Sequence, residues 1–154
     1  MPERRIRRAR PDEADALSGL AARSKAHWGY DAAFLERVRD AMTLRREDVD
    51  RHEVWVLEAA DGTPIGYCRV IPGDPAELED LWVEPSSIGS GAGRRLFAHA
   101  VEVARRGGAS ALEVDADPNA VGFYERMGAV LIGETPSTLI PGRTLPRLRM
   151  TVDG

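Results

Sequence analysis

Polar and apolar positions alternate, recur and break along this chain in a pattern that assigns most of its elements. Ile6 sits among arginines in a short strand. Pro11 then stands at a first helical position, and Leu17, Leu20, Ala21 and Ser24 follow at helical spacing. Asp31 is placed to cap a second helix whose apolar face carries Phe34, Leu35, Val38 and Met42. The residues near Arg45–Glu53 read as an irregular connection, the longest in the chain. Val54–Ala59 and Ile65–Ile71 are β-rich runs joined by Asp61-Gly62, the strongest hairpin signal present. Pro72-Gly73-Asp74-Pro75 then turns into Ala76–Val83, which completes a three-strand antiparallel meander. After Gly89, Gly91 and Gly93, the residues Leu96, Phe97, Ala100, Val101 and Ala104 recur at helical spacing until Gly107-Gly108 stops them. Ala109–Val114 reads as a strand parallel to Ala76–Val83 through a right-handed crossover. Asp117, Pro118 and Gly128 bracket another helix, and strands at about 129–134 and 147–152 close the chain. The order is β-α-α-β-β-β-α-β-α-β-β, an α/β protein of about seven strands and four helices.

Composition narrows the class. The 154 residues, 43% hydrophobic and 30% charged, suit one globular domain spanning 1–154 with a sizeable core. No apolar run reaches the ~18 residues of a membrane span, and no apolar segment follows the basic N-terminus as a secretory signal requires, so a cytoplasmic location is expected. Residues 1–10 carry five Arg against one Glu, so the rest must hold −8 to reach the net −4. An acidic body argues against nucleic acid and favours cationic partners, while alternating Arg reads as a solvated strand face. The single cysteine, Cys68, excludes a disulfide framework or a two-cysteine metal motif and reads as a buried core residue. A homodimer is left open.

The sharpest chemical signal is the segment from Leu81, Trp82 and Val83 through Ile88, Gly89, Ser90, Gly91, Ala92, Gly93 and Arg94. Glycines let backbone approach a ligand closely, and a following helix N-terminus offers unpaired N–H groups and a positive dipole end, a phosphate site. No Lys-Ser/Thr follows, so this is not a Walker A loop, and Arg94 stands where a dinucleotide fingerprint has its third glycine.

The segment resembles the signature of the GNAT superfamily of N-acetyltransferases: a strand ending near Val-x-Pro, then Gln/Arg-x-x-Gly-x-Gly/Ala opening a helix. Gly91, Gly93, Arg94 and Leu96 fit it, and Ile88 replaces the family's Gln or Arg. A second resemblance runs from Asp117 to Ala129, similar to the family's helix with a Phe-Tyr pair, here Phe123-Tyr124, followed by Gly128. The family's common Asn falls at Asp117, with Asn119 two residues on. The resemblance implies a mostly antiparallel mixed sheet, acetyl-CoA bound by the loop and Asn119, and acetyl transfer to a primary amine by direct attack.

Such transfer needs a neutral amine, a polarised carbonyl and a protonated leaving thiolate. An alkylamine of pKa ~10.4 is only about 0.1% neutral near pH 7.4, so a base helps. Strict alternation sets Glu77 and Glu79 on one face with Leu81; Glu113, on the next strand, is the third candidate, and each also reads as a solvated carboxylate. Tyr124 resembles the family's tyrosine that serves the leaving thiolate, with packing as its other reading, and the amide near Val83 would polarise the carbonyl. His27, Trp28 and Tyr30, between the first two helices, suit either an acceptor wall or interhelical packing. Arg143, between the last strands, suits either a clamp for a substrate carboxylate or a solvated loop. With Asp80 beside the glutamates, the acceptor end is acidic. A small-molecule amine acceptor leads; acetylation of a protein N-terminus or lysine, and a non-catalytic acyl-CoA-binding module, are the alternatives.

Overall fold

The computed structural model describes residues 4–152, with strands β1 (Arg5–Arg8), β2 (Glu53–Glu58), β3 (Pro64–Ile71), β4 (Ala76–Val83), β5 (Ala111–Asp115), β6 (Val130–Pro136) and β7 (Thr144–Thr151). Its helices are α1 (Ala14–Ala26), α2 (Ala32–Met42), α3 (Arg46–Arg51), α4 (Ala92–Arg106) and α5 (Val121–Arg126). The strands form one sheet in the order β1-β2-β3-β4-β5-β7-β6, antiparallel except where β4 meets β5. No helix among the described residues is long and apolar enough to cross a membrane.

Local chemistry explains most boundaries. Asp31 Oδ1 accepts from the Phe34 amide at 2.8 Å, which caps α2, and Gly62 makes the β2–β3 hairpin turn with φ +87°. The stretch near Arg45–Glu53 is not irregular: it contains α3, begun by the Arg45 amide on Asp48 Oδ2 at 3.0 Å and anchored by buried Val49. Six residues are too few to show a helical period. The β1 arginines are also not simply solvated, since Arg7 binds Glu13 (2.7 Å) and Glu58 (2.7 Å). Arg7 is the main reason the Glu13 carboxyl falls to about 2, against the opposing pull of burial. The last two strands are β6, ending at Pro136, and β7, starting at Thr144, so Arg143 directly precedes β7.

Two apolar layers cover the sheet. Leu96, Phe97 and Ala100 of α4 pack with Cys68, Val70, Leu78 and Leu112 on one side, while Leu17, Leu20 and Ala21 of α1 pack with Val54, Val56 and Tyr67 on the other. Each such buried Leu or Phe contributes roughly 1.5–3 kcal/mol. Gly66 of β3 admits α4 closely, for a Cβ there would lie 2.8 Å from Leu96 Cδ1 and 2.9 Å from the Trp82 carbonyl. Cys68 is fully buried and burial pushes its thiol up to about 12, consistent with a core residue.

Two irregularities in β4 create the site. β4 pairs with β5 only through Ala76↔Leu112 and Glu77↔Glu113, after which the strands part. A register shift opposite β3 also takes Arg69↔Asp80 directly to Val70↔Leu78, leaving Glu79 as a bulge. Leu78, Leu81 and Val83 therefore share the α4 side, and Glu77 lies on the opposite face from Leu81. The expectation that Glu77 and Glu79 share one face with Leu81 fails because the bulge resets the alternation.

Candidate active site

Between the parted strands opens a cavity of about 590 Å³, bounded by Ser24 and Trp28 of the α1 region, β4, the glycine loop, the end of β5 and α5. The parting leaves one edge of β4 without a strand partner. The Glu84 amide turns to β3, bonding the Ile65 carbonyl at 2.9 Å, so alternation turns the Val83 N–H to the open side.

Of the loop residues singled out in the sequence, Leu81, Trp82, Val83, Ile88, Gly89, Gly91, Gly93 and Arg94 line this cavity. Ser90 and Ala92 do not: the Ser90 hydroxyl bonds the Ser87 carbonyl and accepts from Arg4 Nη1 at 3.0 Å, and Ala92 is buried in the core. Gly91 is the residue before α4 with φ +89°, and Gly89 has φ +83°; a Cβ at either would meet nothing in the protein within 4 Å. The loop thus presents bare backbone to open space. The first amide bonded inward along α4 is that of Arg95, to the Gly91 carbonyl at 3.1 Å, so the Ala92, Gly93 and Arg94 amides precede the helical ladder. Arg94 and Arg126 add positive charge, and these groups together fit a phosphorylated cofactor.

The carboxylates separate. Glu79 is exposed and lines the cavity. Glu77 and Glu113 lie outside its lining: Arg147 clasps Glu77 at 2.7 and 3.0 Å and Glu113 at 2.9 Å. Arg149 also bonds Glu113. Asp80, next to Glu79, sits beneath the wall against Arg69 at 3.4 Å, and burial pushes its carboxyl up to about 6. Tyr124 lines the cavity with 5% exposure, and burial raises its phenol well above the ordinary range.

On the acceptor side the structure divides the expected residues. Trp28 lines the cavity and is 41% exposed. Tyr30 and Arg143 stand behind it, joined by Asp117: the Tyr30 hydroxyl donates to Asp117 Oδ2 at 2.8 Å and accepts from Arg143 Nη2 at 3.1 Å. Arg143 lies over the Phe34 ring at 4.7 Å, so its guanidinium is already engaged. Asn119 lines the cavity while its amide donates to Asp117 Oδ1 (2.9 Å) and the Tyr30 hydroxyl (3.2 Å). Sequence reasoning missed Lys25, whose ammonium pairs with Asp117 beneath the wall. Burial lowers the Lys25 pKa against the pull of Asp117; burial also pushes Asp117 up, but its bonds to Lys25, Asn119 and Tyr30 hold it below its usual value. The available signal was a lysine four residues after Ala21 and eight after Leu17, on the buried stripe of α1.

Residues 21–129 match the model of the acetyltransferase (GNAT) family, well over half of the chain. The chain belongs to the GNAT family of acetyl-CoA-dependent N-acetyltransferases. Among GNAT relatives, serotonin N-acetyltransferase 2 of Oryza sativa is 32% identical over 127 residues, covering 73% of this chain, and the chain spans 62% of that protein's length. The peptidyl-lysine N-acetyltransferase YjaB of Escherichia coli is 26% identical over 151 residues, 97% of each chain. The PaiA N-acetyltransferase of Thermoplasma acidophilum, solved in complex with coenzyme A, superimposes with a TM-score of 0.78 at 18% identity, covering 97% of this chain and 99% of that one, and so shares the GNAT fold.

Proposed function

We propose that this protein transfers the acetyl group of acetyl-CoA to a primary amine of a small molecule by direct attack. The observation that carries this reading is one cavity lined both by phosphate-binding groups, the glycine loop with Arg94 and Arg126, and by Glu79, Trp28 and Tyr124. Acetyl-CoA supplies the activated thioester. The Val83 N–H, turned to the open side, donates to the acetyl carbonyl oxygen and stabilises charge developing there. Reaching the neutral amine costs roughly 4 kcal/mol near pH 7.4, and Glu79 takes the nitrogen's proton, directly or through one water, as attack on the carbonyl makes that proton acidic. The Tyr124 hydroxyl donates a hydrogen bond to the departing sulfur; with its pKa raised by burial, full proton transfer would run uphill.

The acceptor in this reading is a cation with an apolar or aromatic body: Glu79 draws the ammonium, and Trp28, Leu81 and Ile88 offer apolar surface. Because Arg143 is engaged by Tyr30 and Phe34, its guanidinium is not turned to a carboxylate on the acceptor. The rice relative named for serotonin agrees with an arylalkylamine. A protein lysine is the second reading, supported by the near full-length match to a peptidyl-lysine acetyltransferase. The test is CoA release from acetyl-CoA with tryptamine, polyamines, amino acids and lysine peptides as acceptors. Preference for tryptamine supports the first reading, and preference for peptides replaces it with the second. We place the protein in the cytoplasm. Edge strand β6 leaves Val130, Leu131 and Ile132 49–63% exposed, the surface on which we place a homodimer contact, with sedimentation as its test.

A further inference from the structure

The side chains behind the acceptor wall form a unit that the chemistry above does not use. Three connections far apart in sequence converge on one oxygen, the Tyr30 hydroxyl. Tyr30 itself lies in the α1–α2 junction, Asp117 and Asn119 in the link from β5 to α5, and Arg143 in the β6–β7 connection. Lys25 closes the cluster from beneath, paired with Asp117 and set 4.8 Å from the Tyr30 ring centre and 5.6 Å from that of Phe34. Tyr30 stacks on Phe34 at 4.2 Å, and Arg37 Nη2 ties α2 to the Leu139 carbonyl at 2.9 Å. Both charges of the Lys25–Asp117 pair are over nine-tenths buried, so separating them strands a charge away from water.

One end of this unit faces the cavity. Asp117 and Asn119 line it beside Ala120, Phe123 and Tyr124, and Trp28, two residues before Tyr30, lines it from the acceptor side. A molecule that fixes the 117–124 segment therefore also restricts the partners of Tyr30. Binding that orders one segment lowers the entropic cost of ordering the other, and such coupling is reciprocal.

We propose that the Tyr30 hydroxyl, seated on the Lys25–Asp117 pair, latches the acceptor wall to the cofactor-facing segment and carries order from one to the other. This rests on the reading of the cavity as the acetyl-CoA site. Lys25, Tyr30, Asp117 and Arg143 are then positioning residues, acting through Trp28 and Asn119.

The test is Tyr30→Phe, which keeps the ring on Phe34 and removes only the converging hydrogen bonds. Amide hydrogen exchange is read in peptides covering 26–34, 117–121, 137–143 and 92–106. In the free protein the variant should speed exchange in the first three about tenfold together and leave the fourth unchanged. In the wild type acetyl-CoA should slow 26–34 by about fivefold or more, and Tyr30→Phe should lose that slowing while calorimetry still finds acetyl-CoA bound. Faster exchange confined to 26–34, or equal slowing in both proteins, overturns the latch. Absence of acetyl-CoA binding by the wild type would instead remove the donor-site reading, and the free-protein comparison would still decide whether the three connections are latched.

Discussion

Asp80 is the carboxylate whose environment makes the most quantitative demand. It lies on β4 directly after the Glu79 bulge, and burial lifts its pKa to about 6, opposed by Arg69. An acid with a raised folded-state pKa binds protons more tightly folded than unfolded, so its contribution to stability is most favourable at low pH and is lost as pH rises from about 4 to 6. Against an unfolded value near 3.9, two pKa units cost about 3 kcal/mol at pH 7.5 and under about 1 kcal/mol at pH 4. Asp80→Asn imitates the protonated form: its one carbonyl oxygen can accept from Arg69, which reaches Oδ2, or from Trp82 Nε1, which reaches Oδ1, each at 3.4 Å, and the bond it forgoes is a loss common to every pH. The variant should therefore gain on the wild type by roughly 2 kcal/mol more at pH 7.5 than at pH 4, or about 4–8 °C in Tm. Urea melts of both proteins at pH 4, 5, 6 and 7.5 measure the difference directly, with the other titrating groups common to both. A difference independent of pH would refute the reasoning, because it would mean that Asp80 carries no raised pKa.

Tyr124→Phe should cut turnover about tenfold, ~1.4 kcal/mol, with acetyl-CoA affinity nearly unchanged by calorimetry; full activity would reduce Tyr124 to packing. Glu79→Gln should slow the reaction more at pH 7 than at pH 9, where neutral amine is less scarce, and equal losses would count against a base. Glu77→Gln should keep the wild-type pH dependence of the rate and lose stability instead, since Glu77 is bound bidentately by Arg147. Gly91→Val should stay folded by circular dichroism, lose roughly 1–2 kcal/mol from its φ of +89°, and weaken acetyl-CoA binding about tenfold or more; unchanged affinity would falsify the cradle.

The elements and the glycine loop that opens α4 were legible in the sequence because their signals are local: Asp31 and Asp117 cap, Gly62 and Gly108 turn, and the α4 stripe repeats. The bulge at Glu79 was not, since alternation assumes one residue per partner and only the β3 register shows an extra one. Glu77 was misread for that reason. Arg143 and Tyr30 stand 113 residues apart, and a guanidinium shows nothing in its own neighbourhood about which hydroxyl or ring will occupy it. Asp117 stands where the family resemblance expects Asn, and a carboxylate there agrees with the buried Lys25 that meets it.

Gly66 lies outside every motif, has no part in the proposed chemistry and adopts no special φ, yet a single methyl there would press on both Leu96 and the Trp82 carbonyl. The side chain could give way; the carbonyl belongs to the strand that forms the cavity wall. Any larger residue must therefore shift β4 at Trp82, next to the Val83 amide, and, where Leu96 does not yield, lift α4 and the loop at its N-terminus with it. In a saturation mutagenesis screen scored on growth or turnover, Gly66 should rank with Gly91 and Gly93 among the least tolerant positions, although it sits on β3 and outside the loop. Such a map would draw the active site too large, because the distance between helix and sheet is inherited by everything mounted on the helix.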